Sequence, residues 1–135
     1  LLDVHTRRIV GWATHDSLST KLALSALHMA ILQRQPPPGL VVHSDRGSQF
    51  ASADFRGTLA QHRFLASMSR KGNCYDNAFI ESFWSSLKYE LVYHQRFATR
   101  AQARAAIFDY IELFYNRTRL HSSLGYVSPL AFESK

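Results

Sequence analysis

The sequence predicts an α/β fold, a mixed sheet flanked by helices, within a single domain that covers residues 1–135. Strand-like runs and helical patterns alternate along the chain in the order hairpin, helix, strand, helix, strand, helix, helix. A strand that follows a helix that follows a strand is typical of a parallel crossover unit. The chain is long enough for one core, and its apolar fraction of 46% argues against disorder.

The first half of the chain predicts a hairpin followed by two helices and two strands. The short polar connection His5-Thr6-Arg7 lies between β-forming residues and suits a hairpin. Apolar residues at helical spacing, ended by a proline run, predict the first long helix, and Ser52 is expected to cap the next one. The predicted elements are strand runs at 1–4 and 8–14, helices at 20–34 and 53–62, and short strands at 40–43 and 64–68.

The second half of the chain predicts two long helices and a tail that is mostly loop. A polar, basic loop at 69–75 precedes a helix that Asp76 is expected to cap and that runs to about residue 91. A further helix is expected at 99–116, and Ser128-Pro129 predicts one last helical turn. The aromatic residues of the two long helices lie at core spacing and are expected to be buried: Phe79, Phe83, Trp84, Phe108, Phe114 and Tyr115.

The composition favours an anionic partner. The formal net charge of +6 is typical of proteins that bind nucleic acid. The alternative is a basic protein that does not bind nucleic acid, which the charge alone does not exclude. The one cysteine, Cys74, excludes an intramolecular disulfide, which fits a reducing cytoplasm. No apolar run reaches the roughly 18 residues that cross a membrane, and no His or Cys spacing marks a zinc site. The chain begins without Met, as if inside a strand, so we expect a truncated N-terminus.

Two acidic residues are candidates for a metal site. Asp45 directly follows a predicted strand, at the edge where open α/β sheets bind ligands. Glu81 comes after 35 intervening residues and lies on the polar stripe of its helix, with Lys88 two turns further along that stripe. Converging carboxylates bind Mg²⁺ or Mn²⁺, and a two-metal site suits phosphoryl transfer. The alternative is a glutamate that is merely solvated on a polar helix face.

Three segments carry a resemblance to a known family: HSDRGSQF at 43–50, GNCYDNAFIESFWSSLKYE at 72–90, and YNRTRLHSSLGYVSPLAFE at 115–133. They closely resemble the integrase core of bacterial insertion-sequence transposases, in the family usually numbered three, which is related to retroviral integrases. The resemblance covers essentially the whole chain. It implies a ribonuclease-H-like (integrase catalytic core) fold and an Asp-Asp-Glu triad with divalent metal that cuts and joins DNA ends. It also implies homo-multimers that act on element ends and target DNA.

The resemblance assigns two of the three catalytic carboxylates. Asp45 matches the second Asp, Glu81 matches the Glu, and Lys88 matches the basic residue that contacts the terminal DNA of the element. The first Asp is expected on a strand before the residues present here, so the first strand of the fold is expected to be missing too. Asp3 matches a different position, and its expected role is turn chemistry. The chain alone is therefore expected to be inactive.

Two alternatives to an active transposase core stay open at this point. The chain is also consistent with a non-catalytic DNA-binding or subunit-interaction remnant of a transposase. A ribonuclease-H-like nuclease that cuts without joining is a third interpretation, although the tail motif resembles the transposase pattern.

Further residues are expected to contact DNA, mainly through phosphates rather than base edges. Loops beside such sites often bind substrate, and the candidates lie after Asp45, in the loop at 69–75 or at the start of the Glu81 helix: Arg46, Arg70, Lys71, Asn73, Tyr75 and Asn77. The tail motif around Asn116, Arg119 and His121 is expected to be either structural or in contact with DNA, and the sequence leaves that choice open.

Overall fold

The structure is a computed structural model that describes residues 1–14, 20–45, 47–68 and 78–134. The chain divides into two compact units. The first unit contains Leu1 and Val10–Ala78, and the second contains Leu2–Ile9 and Phe79–Lys135. Among the described residues, no helix is long and apolar enough to cross a membrane.

The first unit contains a parallel pair of strands with helices before and between them. Its elements are α1 (Thr20–Arg34), β1 (Val41–Ser44), α2 (Ser48–Ala51), α3 (Ala53–Gln61) and β2 (Leu65–Met68). β1 and β2 run parallel, with Val41 opposite Leu65 and Ser44 opposite Met68. β1 therefore lies parallel to a neighbouring strand, as predicted. The two strands are connected through α3, whereas the predicted crossover ran from the hairpin through α1, and among the described residues the run at 8–14 contains one bridge residue and no strand. The Ser52 side chain caps α3 by accepting a hydrogen bond from the Phe55 N–H.

The core of the first unit joins α1 to α3 and to the start of β2. Its buried members are Ala23, Leu27, Phe55, Leu59 and Phe64. These residues recur every three or four positions on each helix, so each helix turns one apolar stripe inward.

The second unit is mainly helical. Its elements are α4 (Ala78–Glu90), α5 (Arg100–Phe108), a π-helical segment (Asp109–Tyr115) and α6 (Pro129–Glu133), with short 3₁₀ turns at Val92–His94 and Ser122–Leu124. Thr99 caps α5 through the Gln102 N–H, and Ser128 caps α6 through the Ala131 N–H. The predicted last helical turn is thus confirmed.

The N-terminal hairpin is shorter than predicted. The expected strand runs at 1–4 and 8–14 reduce to one antiparallel bridge between Leu2 and Ile9. The Oδ1 of Asp3 accepts hydrogen bonds from the backbone N–H groups of His5 at 2.9 Å and Thr6 at 3.3 Å. This confirms turn chemistry as the role of Asp3. Past the bridge, the Val10 N–H donates to the Leu1 carbonyl at 2.9 Å, so residues 12–14 have no residue of the first run opposite them.

The predicted helix at 99–116 changes its winding after Phe108. The Asn116 N–H donates to the Ile111 carbonyl at 3.0 Å, a bond that spans five residues instead of four. The wider turn brings Tyr110, Ile111, Tyr115 and Asn116 into buried positions. The predicted helical segment is therefore confirmed, and its change of winding was not predicted, because a pattern of helical spacing does not distinguish the two windings.

The expectation that the six aromatic residues of these helices are core residues was wrong for four of them. Phe83 and Tyr115 are buried and meet edge to face at 5.0 Å between ring centroids. The exposed ones are Phe79 at 48%, Trp84 at 49%, Phe108 at 49% and Phe114 at 41%. The buried residues of α4 are Phe83 and Leu87, and they form a narrow stripe. The other aromatic rings of this helix lie beyond that stripe and stay exposed.

Candidate metal and DNA site

Asp45 stands directly after the last residue of β1. Its Oδ1 accepts a hydrogen bond of 2.7 Å from the Gly47 N–H, which forms a tight Asx turn at the end of the strand. A Cβ added to Gly47 would lie 2.8 Å from that same oxygen, so glycine lets the turn close this tightly. The Asp45 side chain is exposed, and its carboxylate is accessible to a cation.

Glu81 and Lys88 lie on one exposed side of α4. Glu81 is in the first turn of the helix and Lys88 in the last turn. Seven positions apart, the two side chains leave the axis within about 20° of each other, and both are exposed. The helix dipole favours a carboxylate in the first turn and an ammonium in the last. The polar stripe predicted from the spacing is therefore present.

The remaining predicted site residues cannot be located in the same way. Arg46, Arg70, Lys71, Asn73, Tyr75 and Asn77 lie outside the described residues. Asp45 belongs to the first compact unit, and Glu81 and Lys88 to the second.

The carboxylates have the donor chemistry that a hard cation needs. Within the described ranges, no group of three or more His, Cys, Asp or Glu side chains is arranged to hold a metal ion. Asp45 and Glu81 nevertheless present exposed carboxylate oxygens, which are the ligands that Mg²⁺ and Mn²⁺ prefer. The type of side chain at both positions therefore suits a divalent cation. A metal site shared by these two residues stays a prediction.

A cluster at the end of α4 was not predicted from the sequence. The Glu90 carboxylate accepts hydrogen bonds from Arg119 Nε at 2.8 Å and Nη2 at 2.8 Å, one on each oxygen, and Nε also lies 3.0 Å from Oε2. The Tyr110 hydroxyl donates to Glu90 Oε1 at 2.8 Å. These residues are 20 and 29 positions from Glu90, so no local pattern identifies the cluster.

The electrostatics of this cluster follow from its geometry. The hydrogen bonds from Arg119 hold the pKa of Glu90 below its usual value. Burial, reinforced by the bond to Glu90, raises the pKa of Tyr110. The bond to Glu90 likewise raises the pKa of Arg119. The cluster is therefore an ion pair with a neutral tyrosine donor, and it lines a groove of about 520 Å³ together with Phe114 and Leu120.

Asn116 and His121 of the tail motif are structural in this protein. The Asn116 Oδ1 accepts from the Ile9 N–H at 2.8 Å, and its Nδ2 donates to the Ile9 carbonyl at 3.0 Å. His121 is buried and meets the Tyr115 ring edge to face at 4.8 Å between centroids. Burial lowers the pKa of His121. For these two residues the structural alternative left open by the sequence is the one observed.

Two family profiles, both described as "Integrase core domain", match the chain. The first matches residues 1–74 and the second matches residues 62–129. Together they include Asp45, Glu81 and Lys88.

Curated relatives match nearly the whole chain. It is 50% identical over 133 residues to the insertion element IS600 uncharacterized 31 kDa protein of Shigella sonnei, which covers 98% of this chain and 49% of that protein. It is 44% identical over 135 residues to transposase InsF for insertion sequence IS3A of Escherichia coli, covering 100% of this chain and 47% of that protein. The chain spans about half the length of the curated relatives it matches.

A solved structure supports the fold. The chain matches the HTLV-2 integrase catalytic core domain in complex with magnesium (dimeric form) with a TM-score of 0.56 and 15% identity. The match covers 97% of this chain and 78% of that one. The α/β fold predicted from the sequence is thus the ribonuclease-H-like fold of integrase catalytic cores.

Proposed function

This chain belongs to the integrase core domain family, among the transposases of bacterial insertion sequences, and from that premise we propose that it serves DNA transposition through metal-dependent end cleavage and strand transfer. The observation that carries the proposal is the pair of exposed carboxylates, Asp45 at the end of β1 and Glu81 in the first turn of α4. Both fall in segments that resemble the catalytic motifs of such transposases.

Asp45 and Glu81 are the proposed ligands of Mg²⁺ or Mn²⁺. The Asx turn with Gly47 orients the Asp45 carboxylate, and Glu81 lies in the first turn of α4. When bound, the metal ions supply activation of the attacking oxygen and stabilisation of the leaving oxygen. Magnesium in the name of the similar HTLV-2 structure supports this choice of metal.

Cationic and polar residues are the proposed contacts to element ends and target DNA. Lys88 extends from the same side of α4 as Glu81 and suits a phosphate contact. Arg46, Arg70, Lys71, Asn73, Tyr75 and Asn77 are proposed to contact the DNA backbone as well. The net charge of +6 supports a polyanionic partner. The protein is expected to act as a homo-multimer in the bacterial cytoplasm, in line with the dimeric form of the HTLV-2 structure.

The 135 residues by themselves are proposed to bind DNA without joining strands. They hold two of the three carboxylates that the resemblance implies, and Asp3 is engaged in the hairpin turn. Two ligands hold metal more weakly than three, so the barrier to phosphoryl transfer stays high. The second candidate is a non-catalytic DNA-binding or subunit-interaction remnant of a transposase, which the net charge of +6 favours as well.

The test combines binding and joining in one preparation. Purified chain is titrated against a short fluorescent duplex at several salt concentrations, and then incubated with Mn²⁺, labelled duplex and plasmid target. We expect binding that weakens steeply with salt and no strand joining. Salt-independent binding, or none, would overturn the DNA-binding role. Joined products from this chain that disappear in Asp45→Asn, but not in the exposed control Asp54→Asn, would overturn the proposed inactivity.

A further inference from the structure

The cluster of Glu90, Tyr110 and Arg119 lies on the helix that carries Glu81 and Lys88, yet none of its members belongs to the proposed metal site. We propose that these are positioning residues, which fix the last turn of α4 so that Lys88 is presented to a DNA phosphate. The inference rests on the proposed function, because it needs Lys88 to contact DNA. It assigns a role to Arg119, which the resemblance left undecided.

The contacts hold the carboxylate in one orientation. Arg119 bonds both oxygens of Glu90, with Nε to Oε1 at 2.8 Å and Nη2 to Oε2 at 2.8 Å. Such a planar, two-pronged pair fixes direction as well as distance. The Tyr110 hydroxyl adds a third bond at 2.8 Å. Because Tyr110 is buried, its ring is held in place and the donor cannot follow a moving carboxylate.

Glu90 is otherwise badly placed for the stability of α4. It is the last residue of the helix, where the negative end of the dipole disfavours a carboxylate. The last turn of a helix also frays readily because its carbonyl groups lack partners within the helix. The ion pair with Arg119 offsets the dipole and ties this turn to the rest of the unit. Without it, this turn keeps the Leu91 N–H bond to the Leu87 carbonyl at 3.0 Å but loses its tie to Arg119 and Tyr110.

The geometry connects this tie to Lys88. Glu90 lies two positions after Lys88, so the two side chains leave the axis about 200° apart. Leu87 and Leu91 on the inner side are buried. Holding Glu90 on one side therefore sets the direction in which Lys88 leaves the other side, along the line that also contains Glu81.

Arg119 itself stands on a rigid support. Its N–H donates to the Phe114 carbonyl at 2.7 Å, and the Thr118 N–H donates to the same oxygen at 2.8 Å. The segment just before Arg119 is anchored through Asn116, whose side chain forms hydrogen bonds with the backbone of Ile9. The guanidinium is thus fixed from its backbone outward, which a positioning residue requires.

The experiment measures whether the DNA contact of Lys88 depends on Arg119. The log–log salt slope of DNA binding is determined for the chain, Lys88→Ala, Arg119→Leu and the double variant. One phosphate contact contributes about 0.9 to that slope. We expect Lys88→Ala to lower the slope by about 0.9 in the unchanged chain and by at most about a third of that in the Arg119→Leu background. Arg117→Leu, the loss of one exposed charge two residues away, serves as the matched background and should preserve the full effect.

The outcomes separate the inference from the function on which it rests. If Lys88→Ala leaves the slope of the unchanged chain as it was, the Lys88–DNA contact fails and the positioning role with it. If Lys88→Ala lowers the slope equally in both backgrounds, the contact stands and the positioning role is refuted. Should circular dichroism show that Arg119→Leu is unfolded, the same cycle is run with Glu90→Gln, which keeps the side-chain shape. An undiminished Lys88 effect there also overturns the proposal.

Discussion

Asn116 shows how one side chain can hold a hairpin. The residue is 2% exposed, and its amide both accepts from and donates to the backbone of the buried Ile9. When a buried backbone N–H or C=O group loses its hydrogen-bond partner, the free-energy cost of removing that group from water is no longer offset. Asn116 therefore acts on the hairpin much as a neighbouring strand would.

Replacing Asn116 with Ala should lower the free energy of unfolding by about 2–4 kcal/mol, since an N–H and a C=O of Ile9 are each left unpaired. Asn116→Asp keeps the acceptor but loses the donor and places an ionised carboxylate against the Ile9 carbonyl in a buried site, so at neutral pH it should destabilise the protein at least as much. Urea denaturation measures both. The exposed neighbour Arg117→Ala is the control and should change stability by less than about 0.5 kcal/mol. An Asn116→Ala variant as stable as that control would contradict this role.

His121 makes stability depend on pH. Burial lowers its pKa in the folded protein below the ordinary value of 6.5, so the unfolded chain binds more protons as the pH falls below that value. The free energy of unfolding should therefore decrease as the solution is acidified from neutral pH through 6.5 and on towards the folded pKa. His121→Gln should lose part of this decrease, as measured by thermal unfolding at neutral and mildly acidic pH. An identical pH profile in the variant would refute the assignment.

At the scale of elements, the packing of α1 depends on one glycine. A Cβ added at Gly11 would lie 2.1 Å from the Ala26 carbonyl oxygen and 3.0 Å from the Ala30 Cβ. Both atoms belong to α1, so the helix would have to move away. Gly57, within α3, has nothing within 4 Å of an added Cβ. The two glycines thus differ in their surroundings rather than in their chemistry.

Opposite effects are expected from the same substitution at these two glycines. Gly11→Ala should destabilise the protein by at least about 1–3 kcal/mol, because backbone atoms of α1 cannot yield as a flexible side chain would. Gly57→Ala should stabilise it by about 0.4–1 kcal/mol, because alanine loses less conformational entropy in a helix. Both effects are measured by comparing the denaturant midpoint of each variant with that of the parent protein. If Gly11→Ala were as stable as the parent, the close contact with α1 would be wrong.

At the scale of the whole molecule, the proposal that Asp45 and Glu81 bind the same metal ions can be tested by combining their substitutions. Asp45 belongs to one unit and Glu81 to the other. If both bind the same metal ions, removing either carboxylate removes most of the binding, and removing both does little more. If each binds a cation separately, the two losses add.

Mn²⁺ binding, measured by electron paramagnetic resonance, should be weak in this chain and lost in Asp45→Asn and in Glu81→Gln. The double variant should be no worse than either single one. Asp54→Asn, an exposed carboxylate in the first turn of α3, is the control and should keep the binding. Additive losses would show separate sites and would contradict the proposed shared site.

The local elements and the candidate carboxylates could be predicted from the sequence. The bounds of α1, the strand-forming runs, and the caps Ser52 and Ser128 all depend on residues close together in the chain. A helical hydrogen bond spans four residues and a cap three, so neighbouring residues determine whether they form. The same short-range logic places Glu81 and Lys88 on one side of α4, and Asp45 after β1.

Only the tertiary structure decided the long-range pairs. Asn116 bonds a residue 107 positions away, and Glu90 meets Arg119 29 positions away. It also decided that Phe79, Trp84, Phe108 and Phe114 are exposed, since a helical period shows which residues share a side but not how much of that side another element covers. Side chains that are distant in sequence come into contact only when the backbone follows one particular course. That course is determined by the packing of the whole unit, and a local sequence pattern does not contain this information.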